Sequence, residues 1–295
     1  MKRLLLIWAV AAVASACVSQ KQQAPERQAW RCDTALYGDV ESVTVATYTR
    51  INEDGTINES DYNHKLLYSF NENGDVKEYN VYEFNGALSE RGVFEYDLNN
   101  KLLFEMRYNA EGTLCSKTSY QYDNDGNIIS KSLYDYLERV EDVVSYRYDS
   151  MGRLIEENWT YGYSEHRCVE PGSNRYVYLY DSLGNMVEKT GSDSSAIYEV
   201  LRCKYDLDGR IIETEEVRYD NWTEELSSTN NVYYTYDSQD NIESISDICH
   251  FGESRYEWRY LCKYDKQHNL VEKIKYKDDS SIPSEILKFE IVYRE

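Results

Sequence analysis

From about Tyr62 onward the chain alternates aromatic and polar residues in short runs, as in Tyr120-Gln121-Tyr122, Tyr146-Arg147-Tyr148, Tyr176-Val177-Tyr178-Leu179-Tyr180 and Tyr256-Glu257-Trp258-Arg259-Tyr260. Alternation with a period of two marks a strand whose two faces differ. Helical periodicity is absent throughout this region. The runs are separated by turn chemistry of one kind, seen most fully in Tyr122-Asp123-Asn124-Asp125-Gly126-Asn127-Ile128-Ile129. The Asp side chain can accept a bond from the backbone two residues on, and Gly supplies a positive φ without steric cost. Each such stretch predicts a hairpin turn between two strands.

The stretch recurs. Copies begin at Tyr148, Tyr180, Tyr205, Tyr236 and Tyr264, and looser ones at Phe70 and Tyr96; the spacing is 26 residues three times, then 32, 25, 31 and 28. A fixed period of this size signals a repeat architecture. Secondary turns such as Tyr108-Asn109-Ala110-Glu111-Gly112-Thr113 and Phe84-Asn85-Gly86-Ala87 fall between the motifs, so each copy holds two strands, an ordinary antiparallel spacing. A first strand is expected near Val40, where Val43, Val45 and Thr47 alternate, and a last one over Phe289–Tyr293. The expected fold is all-β: a repetitive antiparallel meander of about sixteen strands, forming one elongated, twisted and curled sheet.

The motif Tyr-Asp-x-x-Gly-Asn/Arg-apolar resembles the YD repeats of the Rhs-repeat family, over roughly Tyr62 to Tyr276. The resemblance implies a strip of antiparallel sheet that curls into a shell, as in the teneurins; larger bacterial members enclose a toxin in it. With 31 residues after Tyr264, no such cargo is expected here. Two copies depart from the pattern: Asn99-Asn100 and Gln267-His268 stand where Gly is usual, which weakens the case for a closed shell.

The chain opens differently. Lys2 and Arg3 precede an apolar run from Leu4 to Val13, then Ala14-Ser15-Ala16 and Cys17. This reads as a signal peptide over residues 1–16, too short for a permanent span. Ala14-Ser15-Ala16-Cys17 resembles a bacterial lipobox, in which Cys17 is lipidated and becomes the new N-terminus. Ala14 stands where Leu is usual, and ordinary secretion is the alternative. Residues 17–38 read as a lipid-anchored tether, poor in aliphatic residues, and 39–295 as the repeat domain. These features place the protein in the cell envelope, as an outer-membrane lipoprotein facing the periplasm or the surface.

Removing Lys2 and Arg3 leaves 30 basic against 53 acidic residues, a net charge of −23. Such a surface repels nucleic acid and anionic lipid. No nucleic-acid partner is expected; the expected partners are the membrane, through the anchor, and a protein or glycan. Tyr is in excess, 30 against 6 Phe. A buried phenol needs a hydrogen-bond partner, so the Tyr face is expected to be half dry. The preferred reading is a cross-strand Tyr ladder; the alternative is an exposed Tyr/Trp platform for sugar rings.

No catalytic constellation, cofactor motif or metal-ligand spacing is present. The four histidines are scattered, and Cys249-His250 puts neighbouring side chains on opposite faces. Asp-rich turns such as Asp123-Asn124-Asp125-Gly126 lack the closing ligands of a calcium loop and are explained as turns. Cys203 and Cys262 occupy stripe positions two residues before a motif Tyr, as thiols rather than a disulfide; pairing of Cys32 with Cys168 stays open. The expected function is therefore a non-enzymatic interaction or scaffold surface, with a carbohydrate-binding module as the rival. Insertions at Ser164–Asn174, Gly191–Ala196 and Asn221–Asn231 predict longer loops in the later half. Trp159, Tyr161, Tyr163 and Trp222 lie in or beside them and are the candidate binding residues, unless the Trp residues simply fill gaps in the stripe.

Overall fold

A computed structural model describes residues 36–162, 171–194, 196–220, 225–238, 240–251 and 254–294. It contains strands β1 (Val40–Tyr48), β2 (His64–Phe70), β3 (Val76–Glu83), β4 (Leu88–Tyr96), β5 (Leu102–Asn109) and β6 (Leu114–Tyr122). There follow β7 (Ile128–Tyr134), β8 (Val140–Tyr148), β9 (Leu154–Tyr161), β10 (Gly172–Tyr180), β11 (Met186–Ser192) and β12 (Ile197–Tyr205). The last six are β13 (Ile211–Tyr219), β14 (Leu226–Tyr236), β15 (Ile242–Phe251), β16 (Ser254–Tyr264), β17 (Leu270–Lys277) and β18 (Glu285–Tyr293).

Every strand pairs antiparallel with the next, and β1 pairs with both β2 and β18. The sheet therefore closes into an 18-stranded barrel, and the expectation of an elongated, curled sheet is corrected. Two facts explain the difference. The closing strands β1 and β18 lie outside the repeats, and their register, Val43 opposite Ile291 and Val45 opposite Phe289, joins opposite ends of the chain. Closure also leaves no edge strand among the described residues.

The missing glycines do not interrupt the turns. In each motif the Asp N–H donates to the carbonyl four residues on, and the Gly-position N–H donates back to the Asp carbonyl, as in Asp149 with Arg153 (2.9 Å) and Gly152 (3.0 Å). Asn100, Asp240 and His268 stand at that position with φ of 62°, 66° and 66°, beside 94° at Gly126 and 78° at Gly152. Polar residues tolerate this left-handed conformation at modest cost, so the turn survives without Gly. The Asp side chain completes the turn: Asp149 Oδ1 accepts from the N–H groups of Met151 and Arg153, both at 2.9 Å.

All motif turns lie at one rim of the barrel, with the start of β1 and the end of β18, because successive hairpins alternate between the rims. Each motif Tyr then reaches back across its neighbours. Tyr122 donates to the Leu102 carbonyl (2.8 Å), Tyr148 to Ile128 (2.8 Å), Tyr180 to Leu154 (2.8 Å) and Tyr236 to Ile211 (2.6 Å). In each case the acceptor is the first residue of the strand that follows the preceding motif. The Tyr ladder is thus a hydrogen-bonded link from repeat to repeat, and it satisfies the phenols that burial would otherwise leave unpaired.

The register places alternate side chains inside and outside. Inner-face apolar residues form a continuous cluster on β1–β5, including Val43, Val45, Tyr68, Phe70, Val76, Tyr79, Phe94 and Leu102. Smaller clusters join Met186, Leu201 and Cys203, and Ile211, Val232 and Tyr234. Glycines pair across the inner face with tyrosines: Gly92 with Tyr79, Gly172 with Tyr161 and Gly191 with Tyr176. A Cβ at Gly92 would lie 2.1 Å from the Tyr79 ring, so the ring lies flat across the backbone where no side chain competes.

Outside, ion pairs run between exposed apolar side chains such as Leu179, Tyr233, Leu261 and Val292. Arg91 meets Glu78 (2.6 Å), Glu156 lies between Arg147 (3.2 Å) and Arg175 (2.7 Å), and Arg202 bridges Glu188 (3.2 Å) and Glu215 (3.1 Å). The segment 49–63 between β1 and β2 covers one side, with Ile51, Ile57 and Tyr62 packed on Ala46, Tyr48 and Ile286. Among the described residues the close backbone approaches of each strand are to its hydrogen-bonded neighbours. Eighteen strands about 4.8 Å apart give a girth of about 86 Å, roughly 27 Å across if round. Side chains from opposite walls cannot fill that width. The barrel has a lumen.

Candidate functional site

The lumen has two unlike sides. On β1–β5 it is mostly apolar; Glu90 accepts from Tyr79 Oη (2.5 Å) and pairs with Arg107 (2.7 Å), and Glu105, opposite Phe94, accepts from Tyr120 Oη (3.4 Å). From β8 round to β17 it is lined by aromatic rings and charges. Their phase follows from the motif: counting back two at a time from Tyr205 gives Cys203, Leu201 and Glu199, all on the inner face.

At β9–β10, Glu157 accepts from Tyr178 Oη (3.0 Å) and from Trp159 Nε1. Next along the wall, the Lys189 ammonium sits 4.2 Å from the centre of the Tyr176 ring and 3.7 Å from Glu199. Arg218 contacts Glu199 (3.4 Å) and Glu216 (2.6 Å). Burial pushes the Glu216 carboxyl above its ordinary range despite that arginine. Further round, Lys275 lies 5.5 Å from the ring centres of both Trp258 and Tyr260, and Lys273 lies 5.0 Å from Tyr260. Asp247, on the strand between Asn230 and Trp258, is also pushed up by burial. Asp247 Oδ1 and Asn230 Oδ1 are buried without a hydrogen-bond partner among the described residues. This arc can offer ring faces, cations and acceptor oxygens to a polar ligand. Among the described residues no group of His, Cys, Asp and Glu could hold a metal ion.

Of the candidate binding residues, Trp159 and Tyr161 are brought together on the inner face of β9, opposite Asn174 and Gly172. They stand on the barrel wall rather than on a projecting loop, because β10 begins at Gly172 and β14 at Leu226, inside stretches whose composition reads as loop. Trp159 is half-buried beside Glu157, within the stripe. Tyr163, Trp222, Cys17, Cys32 and Cys168 lie outside the described residues. Cys115, Cys203, Cys249 and Cys262 are thiols. The inner charges were not singled out from the sequence. The signal was present in phase: Glu199, Glu216, Arg218 and Asp247 fall on positions that face the same side as the aromatic stripe.

No family model matches the chain, and no curated protein matches it. Among the similar solved structures are the following three. One is the Photorhabdus luminescens Tc holotoxin pore carrying the mutation TccC3-D651A: 9% identity, 79% of this chain, 16% of that chain, TM-score 0.33. The second is a porin-like protein from Bacteroides uniformis: 9% identity, 87% of this chain, 98% of that one, TM-score 0.44. The third is a porin-like protein from Bacteroides vulgatus: 14% identity, 69% and 94% coverage, TM-score 0.42. The chain spans about a sixth of the toxin chain it matches.

Proposed function

We propose that this is an exported envelope protein, anchored by lipid at Cys17, whose barrel is a non-enzymatic interaction module that presents its lumen to a ligand. The observation that carries this reading is the contrast between the two faces of the wall. A barrel embedded in a bilayer turns an apolar band outwards, and an Arg or Lys at the bilayer midplane costs about 2–4 kcal/mol. Here Arg91, Arg147, Arg175 and Arg202 stand on the outer wall in ion pairs with carboxylates. Attachment to a membrane therefore falls to the N-terminal lipid, and the barrel itself stands in water. The aromatic and charged residues are on the inner arc.

The test has two parts. Wild-type protein is expected to incorporate labelled palmitate and to fractionate with membranes, and Cys17→Ala is expected to do neither. Unmodified wild type in the soluble fraction would overturn the anchor. For the barrel, Trp159→Ala is expected to weaken binding on a glycan array or to whole envelopes at least tenfold with the melting temperature retained. Unchanged binding by that variant removes the lumen from the reading.

A second reading, a carbohydrate-binding module, is favoured by one observation: Trp159, Tyr178, Trp258 and Tyr260 line the same arc as cations and acceptor oxygens. The site for a sugar would then be inside the barrel and not on an outer platform, because the motif Tyr hydroxyls are engaged with backbone carbonyls.

A further inference from the structure

Alternation along β16 turns Trp258 and Tyr260 into the lumen and Arg259 and Leu261 outwards. On that outer side the register sets Arg259 between Ser246 and Tyr276, and Leu261 beside Ser244. The connection from β17 to β18 folds back over this patch. It is fixed there by the Asp278 N–H, which donates to the Glu257 carbonyl (2.7 Å), and by the Ser284 N–H, which donates to the Lys275 carbonyl (2.7 Å). Wall and connection form a cavity of about 530 Å³, a size at which small ligands are held. Ser246, Leu261 and Tyr276 line it from the wall, and Asp279 and Ser280 from the connection.

Arg259 differs from its counterparts on the other strands. Arg91, Arg107, Arg147, Arg175, Arg202 and Arg218 each pair with a carboxylate. Arg259, exposed on the same wall, pairs with none among the described residues. Its guanidinium is held instead 5.7 Å from the centre of the Tyr276 ring, and Nη2 donates to the Ser280 carbonyl (3.3 Å). A guanidinium carries its N–H donors in a rigid fork that matches a carboxylate. Most of this fork is left for a ligand in the cavity. Asp279 lines the same cavity without pairing with Arg259, so the two charges stand apart there.

We propose that this outer cavity binds a free amino acid or short peptide with an apolar side chain. Its carboxylate lies on Arg259, its ammonium on Asp279 and its side chain against Leu261 and the Tyr276 ring. Leu261 is 46% exposed, so its apolar surface is open to a ligand. Ser246 adds a hydroxyl donor for the carboxylate, whereas the Ser244 hydroxyl already shares a hydrogen bond with Thr235 (2.7 Å). An anion alone would meet the Asp279 carboxylate, and a cation alone the guanidinium; a zwitterion satisfies both. The site lies on the opposite face of the wall from the lumen and depends neither on it nor on lipid at Cys17.

Calorimetric titration of the mature chain with leucine and with leucyl-leucine tests it. At least one is expected to bind, and the tighter marks free amino acid or peptide as the source. Leucinamide, which lacks the carboxylate, and N-acetyl-leucine, which lacks the ammonium, are each expected to bind about tenfold more weakly than leucine, or worse. Arg259→Gln is expected to lose about tenfold or more in affinity for the better probe, while Arg175→Gln, elsewhere on the outer wall, binds it as wild type does. No binding of either probe at about 10 mM overturns the proposal. Equal binding of leucine and either analogue overturns it, as does undiminished affinity in Arg259→Gln or an equal loss in Arg175→Gln. If Arg259→Gln does not fold, the comparison with leucinamide decides.

Discussion

Arg294 donates through Nη2 to the carbonyl of Asn71 at 2.7 Å, tying the end of the last strand to the first turn of the repeat series. The same nitrogen reaches the Phe70 carbonyl at 2.8 Å, and the Arg294 N–H donates to Asp39 at 2.9 Å. This is the seam of the barrel. Hydrogen bonds from a charged donor contribute about 1.5–3 kcal/mol. Arg294→Ala is expected to lower stability by about 2 kcal/mol. Amide exchange at Val43 and Val45 should quicken, while amides of β6 and β7 stay protected. Uniform loss of protection would mean that the seam is no weaker than the rest of the wall.

The Tyr ladder predicts a repeated, local effect. Tyr148→Phe deletes one donor to a backbone carbonyl and leaves the ring in place. The expected loss is about 0.5–1.5 kcal/mol in denaturant unfolding, with similar values for Tyr122→Phe and Tyr236→Phe. A null result at all three positions would show that water replaces the hydroxyl without cost.

At the turns, residue type and backbone conformation can be separated. Gly126→Val and Gly152→Val force a β-branched side chain to φ near 94° and 78°, and each should destabilise by about 1–3 kcal/mol. His268→Gly, at the equivalent position of another copy, should be neutral or slightly stabilising. Melting temperatures of the three variants are the measurement, and unchanged values for both valines would contradict the turn geometry.

Acid should act on the carboxylates in two opposite ways. Glu156 is held at about 2 by its hydrogen bond from Arg175, then that from Asn158, and Asp149 is lowered by the Arg153 N–H, then its guanidinium. Their contribution is present above the unfolded values of 4.5 and 3.8 and is lost as the pH falls through the lowered folded values, about 2 for Glu156. Asp247 is raised by burial, so its charged form burdens the folded state at neutral pH and the burden lifts in acid. Asp247→Asn is therefore expected to raise the melting temperature at pH 7, and the gain should vanish below about pH 4. A gain that grows in acid would refute the assignment.

Much of the wall was legible in the sequence because its signals are local. Alternation in Tyr176–Tyr180 and the Asp-x-x-Gly turns depend on residues within a few positions of one another. Closure was not legible, because β1 and β18 carry no motif and their pairing spans nearly the whole chain. Asn100 and His268 were misleading, since the missing Gly weakened the expectation of a closed shell although these residues adopt the same φ. Trp159 was picked out as an aromatic near a long connection. Its direction was hidden, because Gly172 opposite Tyr161 reads as loop composition yet belongs to a strand.

The bond between Asp39 and Arg294 has a topological consequence. The wall has no first strand and no last one; its beginning is only where the polypeptide happens to be open. Joining the two ends with a short linker and cutting the loop at Gly112 or Gly184 should yield the same barrel with new termini. The order of the repeats around the ring would then matter, and the point at which synthesis starts would not.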